Sequence, residues 1–253
     1  MTRTSCKSLP RSVHARAVAL AASAAALVAC SGAPAGDQEQ TVAAAEKSSG
    51  WEVLFDGTDL SRWRGYRREA VPSAWKIEDG ALTLVPGSGE GGDIMTREQY
   101  GDFELELEWK ISPRGNSGII YRVVEDYPNS YESGPEYQIL DNAGHPDGRN
   151  GVLTSAAANY ALYGPSEDVT RPVGEWNHAR IVAHGPHVEH WLNGVKVVEY
   201  EVGSEDWKQR VAASKFAAMP GYGKHLKGHI VLQDHGDRVW YRNIRIRHLD
   251  SGQ

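Results

Sequence analysis

The chain has 253 residues, with 27 Lys and Arg against 33 Asp and Glu, for a formal net charge of −6 with histidines neutral. An acidic balance gives no electrostatic reason to bind nucleic acid. Two cysteines are too few for a disulfide framework, so the folded part must rest on its core, for which the length is ample.

The N-terminal residues 1–29 read as a bacterial signal peptide. Arg3, Lys7, Arg11 and Arg16 form a basic start without acids, and "AVALAASAAALVA" (17–29) is an apolar run too short to span a bilayer as a helix. It ends in Leu27-Val28-Ala29-Cys30, which resembles a lipobox, so Cys30 is the expected lipidation site. Residues 30–50, small and polar, read as a flexible tether, and 51–250 as the folded domain. Cys6 leaves with the leader. Losing four basic residues and no acids takes the charge from −6 to −10. The expected location is the cell envelope, facing the periplasm or cell surface, with membrane contact through the anchor alone.

From Trp51 onward the pattern is one of short strands. Strand signals fall at Ala81–Val85, Phe103–Ile111, Gly118–Val124, Glu136–Leu140, Ala179–Ala183, Val188–Leu192, Val195–Tyr200, His229–Gln233 and Val239–Arg247. "FELELEWKI" (103–111) alternates strictly, and Asn193-Gly194 is a two-residue hairpin signal because both positions tolerate positive φ. No long stretch keeps a 3.6-residue period. The prediction is an all-β fold, a two-sheet antiparallel β-sandwich of the jelly-roll type.

Alternation sorts side chains by face. With Leu105, Leu107 and Trp109 inward, Glu104, Glu106, Glu108 and Lys110 point out; with Tyr137 and Ile139 inward, so do Glu136 and Gln138; with Ile230 and Leu232 inward, so do Gln233 and His235. Polar candidates gather in "RGNSGIIYR" (Asn116, Arg122), "GPEYQILDN" (Glu136, Gln138), "LQDHG" (Gln233, His235) and the loop "DNAGHPDG", where Asp141, His145 and Asp147 are hard-cation candidates or Asx-turn caps. For Glu136 the alternatives are a solvated strand face or a salt bridge to Arg122. Of eight tryptophans, Trp51, Trp75, Trp109, Trp176 and Trp191 suit core or sheet-end packing; Trp63, Trp207 and Trp240 are the candidates for a sugar-stacking rim. Nucleophile-elbow, phosphate-loop and dinucleotide motifs are absent, so hydrolase-elbow, nucleotide and hydride chemistry lack support.

"WEVLFDGTDLSRWRG" (51–65), "WKIEDGALTL" (75–84), "FELELEWKISPRGNSGIIYRV" (103–123), "GPEYQILDN" (134–142), "EWNHARIV" with "VEHWLNGVKVVEY" (175–200) and "GHIVLQDHGDRVWYRNIRIRHL" (228–249) together resemble the bacterial 3-keto-disaccharide hydrolase family, in order and over the whole mature domain. The resemblance implies a concanavalin-A-like jelly roll. It also implies cleavage of 3-keto-glycosides, by removal of the proton at C2, expulsion of the glycosidic oxygen from C1 and addition of water, as a hydrolase or a lyase. Such a site needs a base, an acid for the leaving group, and donors or a cation for the enolate oxygen. Glu136 and His235 are the expected acid–base pair, in either order. Arg122, Gln138, Gln233, Asn116, Glu108 and Lys110 are the expected substrate contacts, and a divalent metal ion is the candidate cofactor. The expected partner is a carbohydrate, supplied by a sugar 3-dehydrogenase. Two other readings stay open: a conventional glucanase-like glycosidase, which needs a second carboxylate near Glu136, and a non-catalytic surface lectin.

Overall fold

The computed structural model describes residues 50–249; the predicted signal peptide, Cys30 and nearly all of the tether lie outside them. Among the described residues thirteen strands form two antiparallel sheets, a β-jelly-roll sandwich. The larger sheet has the order β11-β10-β9-β6-β13-β4-β3, with β1 also paired to β13. Its members are β1 (Trp51–Phe55), β3 (Trp75–Glu78), β4 (Ala81–Leu84), β6 (Phe103–Ile111), β9 (Asn177–His184), β10 (His187–Leu192), β11 (Val195–Glu201) and β13 (Val239–His248). The smaller has the order β2-β5-β12-β7-β8, built from β2 (Trp63–Gly65), β5 (Ile94–Thr96), β7 (Asn116–Val123), β8 (Glu136–Leu140) and β12 (His229–Leu232).

Local sequence explains the connections. Asn193 and Gly194 take φ of 50° and 87°, the two positive angles that close a tight hairpin with the right twist, and they join β10 to β11 as predicted. Asp79 and Gly80 do the same between β3 and β4, at 51° and 74°. The strand pattern missed β1, β2, β3 and β5. It also missed one helix, α1 (Glu205–Ala212). That helix starts because Ser204 Oγ accepts from Trp207 N at 3.1 Å, with Glu205 and Asp206 in the first turn against the helix dipole.

The core lies between the sheets. Leu105, Leu107 and Trp109 of β6 and Ile181 of β9 meet Ile119 and Tyr121 of β7, Tyr137 and Ile139 of β8, and Ile230 and Leu232 of β12. Across this layer the Tyr121 hydroxyl bonds His190 Nε2 at 2.8 Å and the Tyr200 hydroxyl. Burial pushes the His190 pKa down to about 4 and keeps the imidazole neutral. Two of the expected rim tryptophans belong to the core: Trp63 donates to Leu54 O at 2.8 Å, and Trp207 is stacked between Tyr200 and Tyr222. Each ring buries more apolar area than a rim position leaves it, which is why they sit inside.

Trp240, the third, lies on the outer face of the larger sheet, beneath Lys110 and Arg238. That face is an ion-pair ladder. Glu104 takes Arg180 and Arg247, Glu106 takes Arg245 at 2.6 Å, and Glu108 takes Arg242 at 2.8 Å and Asn243 at 2.6 Å. Lys110 stands over the rings of Trp176 and Trp240 at 4.9 and 4.5 Å. Glu108 and Lys110 thus point out as alternation requires, but from the sheet that does not carry Glu136. They are not substrate contacts of that site, because β6 and β8 belong to different sheets and face opposite ways.

Candidate active site

The site is built on the outer face of the smaller sheet. Opposite Tyr137 and Ile139, whose side chains fill the core, Glu136 and Gln138 point outward, with Gly118 of β7 paired to Gln138. Gly118 leaves the space that Glu136 uses: a Cβ there would lie 2.3 Å from Glu136 Oε1. The carboxyl therefore lies flat over bare backbone, and the neighbouring chain places Gln233 beside it through Gln233 N donating to Gly118 O at 2.9 Å. The segment after β8 doubles back along it. Gln138 N donates to Ala158 O, Ala157 N to Gln138 O and Tyr160 N to Glu136 O, which covers the strand edge and brings Tyr160 near the acid.

Glu136 is only 8 % exposed and has no salt bridge among the described residues. Burial pushes its pKa up to about 8, Lys215 acting against that shift and Asp93 and Asp147 with it. Lys215 comes from the 3-10 turn Lys215–Ala218 after α1 and lies 4.3 Å from the centre of the Tyr160 ring. The Gln138 amide, turned so that its nitrogen meets the most acceptors, donates to Ser117 O at 3.0 Å, Asn116 Oδ1 at 3.2 Å and Glu136 Oε1 at 3.3 Å. Asn116 is buried beneath it, so its role is to hold Gln138 rather than to touch a ligand.

Beside these residues opens a cleft of about 620 Å³, lined among others by Tyr66, Arg67, Asp93, Ser130, Gln233 and His235. Gln233 Oε1 is buried there without a partner, an acceptor ready for a ligand hydroxyl. His235 is exposed on a loop pinned by Asp234, whose carboxylate accepts from Gly92 N at 2.7 Å and Gly236 N at 2.9 Å. Burial raises the pKa of Asp93, which accepts from Ser130 Oγ and Asp234 N and feels the charge of His235. Asp93, Lys215 and Tyr160 were not singled out in the sequence. The Gly91-Gly92-Asp93 run was the one available signal, because glycines let backbone approach a neighbouring loop.

Arg122 is a correction. Alternation along β7 puts it on the face of Gly118 and Ile120, but its φ is +58° and the β7–β12 register shifts at this point. The bulge turns the side chain away. Its guanidinium donates to Gly185 O at 2.8 Å and lies 3.7 Å from Asp102, at the end of the larger sheet. Arg122 neither pairs with Glu136 nor faces the cleft.

The expected cation loop is corrected as well. Asp141 spends its oxygens on backbone, accepting from Arg114 N at 2.7 Å, Ala143 N at 3.2 Å and Gly144 N at 2.9 Å, which is the Asx-turn alternative. Asp147 accepts from Asn150 Nδ2 and the Tyr160 hydroxyl. His145 instead meets His235, ring centres 6.1 Å apart, and with Asp237 they place one ligand atom each within 4.8 Å of one another. Asp147 N also donates to His145 Nδ1 at 3.1 Å, so a neutral His145 carries its proton on Nε2.

Fold and site together define a β-jelly-roll protein with a polar cleft on the outer face of its smaller sheet. A family model described as a 3-keto-alpha-glucoside-1,2-lyase-like domain matches residues 50–247, and the chain belongs to that family. It is 36 % identical over 231 residues to a 3-keto-disaccharide hydrolase of Bacteroides thetaiotaomicron, covering 80 % of each chain. A crystal structure of a candidate glycosyl hydrolase from Parabacteroides distasonis superposes with a TM-score of 0.75 at 37 % identity, covering 81 % of this chain and 97 % of that one. A second from the same organism gives 0.62 at 29 % identity, covering 79 % and 99 %.

Proposed function

We propose that the protein cleaves the glycosidic bond of 3-keto-glycosides, with the keto ring seated over Glu136 and against His235. A ketone at C3 makes the C2 proton acidic. His235, exposed at the cleft, takes that proton. The electron pair of the C2–H bond forms the enolate, then re-forms its ketone as the C1–O bond breaks. Glu136, whose pKa near 8 keeps it mostly protonated at neutral pH, gives its proton to the departing oxygen. Lys215, the cation acting most strongly on Glu136, and the Gln138 amide supply positive charge and a donor on this side of the ring. Gln233 Oε1 accepts a sugar hydroxyl. Addition of water to the unsaturated product completes hydrolysis; its early release makes the enzyme a lyase.

The observation that carries this reading is the buried Glu136, without a salt bridge among the described residues, next to Gln233 at an open cleft. Family membership and the named relative support the substrate class. The test is turnover of a 3-keto-disaccharide and of its unoxidised parent, each with and without chelator. Cleavage of the keto form alone, lost in Glu136→Gln, is expected. Equal cleavage of the parent would turn the reading towards a two-carboxylate glycosidase, with Asp93 as the second acid. Binding of both sugars with no turnover would make the cleft a lectin site.

A further inference from the structure

The cleft over His235 does not end at Arg67 and Arg68. The same two residues line a second opening of about 450 Å³, walled by Arg64, Glu69, Arg97 and Glu125. Four arginines against two carboxylates is a local excess of positive charge on a chain whose residues 30–253 sum to −10, from 23 basic and 33 acidic residues.

Most of this charge is already matched. Arg64 holds Glu125 through two bonds of 2.8 and 2.5 Å, Arg68 lies 2.6 Å from Glu90, and Arg97 lies 3.4 Å from Glu69. Arg67 differs. Its backbone sits at φ +54°, a conformation that costs a non-glycine residue energy, and Glu125 holds it there by accepting from Arg67 N at 2.9 Å. Its guanidinium has no carboxylate partner among the described residues. The carboxylate that could have paired with it is engaged by Arg64 and by the Arg67 backbone instead. The Arg67 backbone is thus fixed and its charge left without a carboxylate, at the junction of the two openings.

We propose that Arg67 marks an anion subsite, so that the preferred substrates are 3-keto-glycosides whose leaving group carries a carboxylate, sulfate or phosphate. This rests on the keto-glycoside reading above. The keto ring occupies the His235 side, and the leaving group extends past Arg67, where the planar guanidinium meets an oxyanion with two parallel N–H donors. Exposure limits the gain to about five- to tenfold, weakened by salt.

Two measurements test it, on the wild-type protein and on Arg67→Gln, with unchanged thermal midpoints establishing that both are folded. The first compares kcat/KM for two 3-keto-disaccharides that differ only in the leaving sugar, glucose or glucuronate. The second compares the binding of glucose and glucuronate themselves by calorimetry, in low and high salt. A preference for glucuronate that falls with salt and collapses towards one in Arg67→Gln is the expected result. Equal handling of the two sugars, or a preference that survives the substitution, overturns the subsite. Binding is read without turnover, so a glucuronate preference in an inactive protein would uphold the subsite and sink the reaction. Turnover with no preference would do the reverse.

Discussion

Both sheets turn glutamates outward, yet the two outer faces have different fates. On the larger sheet Glu104 meets two arginines and Glu106 and Glu108 one each, and the result is a ladder of paired charges. On the smaller sheet Glu136 meets a glycine, a glutamine and a backbone floor, and its pKa rises to about 8. Residue type and strand position are alike; the partner decides. An acid that already has a cation has no proton to give. An acid held out of water without one keeps its proton to neutral pH and becomes chemically useful.

The comparison breaks most visibly at Glu136. Glu136→Gln keeps shape and removes the titrating proton, and kcat on a 3-keto-disaccharide is expected to fall by about 10³-fold or more. If turnover survives, the proton comes from elsewhere. Next is Gly118→Ala, which leaves the acid present but takes its seat. A methyl in contact with the carboxyl displaces it, and a fall of about 10- to 100-fold in kcat is expected, with the fold intact by circular dichroism.

The third effect is on stability and has the opposite sign. Glu136 binds its proton more tightly folded than unfolded, from a pKa of 4.5 to about 8. The folded state therefore holds the extra proton between those values, and stability falls as pH rises through that window. Glu136→Gln is free of this cost. Its unfolding free energy should exceed that of the wild type by a few kcal/mol, about 4 to 5 at most, above pH 8, and should converge with it near pH 4. Denaturant unfolding across pH 4–9 checks this, and parallel curves would mean that the carboxyl is solvated. The smallest effect belongs to the other face. Glu108→Gln removes one carboxylate from a half-exposed pair, so stability should change by about 1 kcal/mol or less and kcat should not move.

How far the site was legible follows from the same contrast. Period-two alternation placed Glu136, Gln138 and Gln233 on outer faces, because a strand has only two faces and apolar residues declare which is core. It said nothing of which sheet each strand joins, and so it put Glu108 and Lys110 with Glu136 when the topology sets them on opposite sides. It failed at Arg122 for a local reason: one residue at φ +58° breaks the alternation, and arginine carries no sign of it in the sequence. Of the residues acting on Glu136 from afar, Asp93 was marked only by the glycines before it and Lys215 by nothing, because loops obey no period. His145 was grouped with Asp141 and Asp147, but its neighbours in space are His235 and Asp237, about ninety residues on.

The placement of β13 has a consequence for how the molecule is made. This strand, Val239–His248, lies between β6 and β4 and also pairs with β1, so strands from the start and middle of the domain share one partner that leaves the ribosome after them. Until it emerges, β4 and β6 have no bridge between them and β1 has nothing to pair with. The nascent domain stays open, with contacts of high sequence separation still to be made, and folds slowly for its size. The larger sheet is complete only once β13, the last of the described strands, has been made. Tyr241 of the same strand bonds Ser117 beneath the cleft at 2.8 Å, so the floor under Glu136 is completed in that same late step.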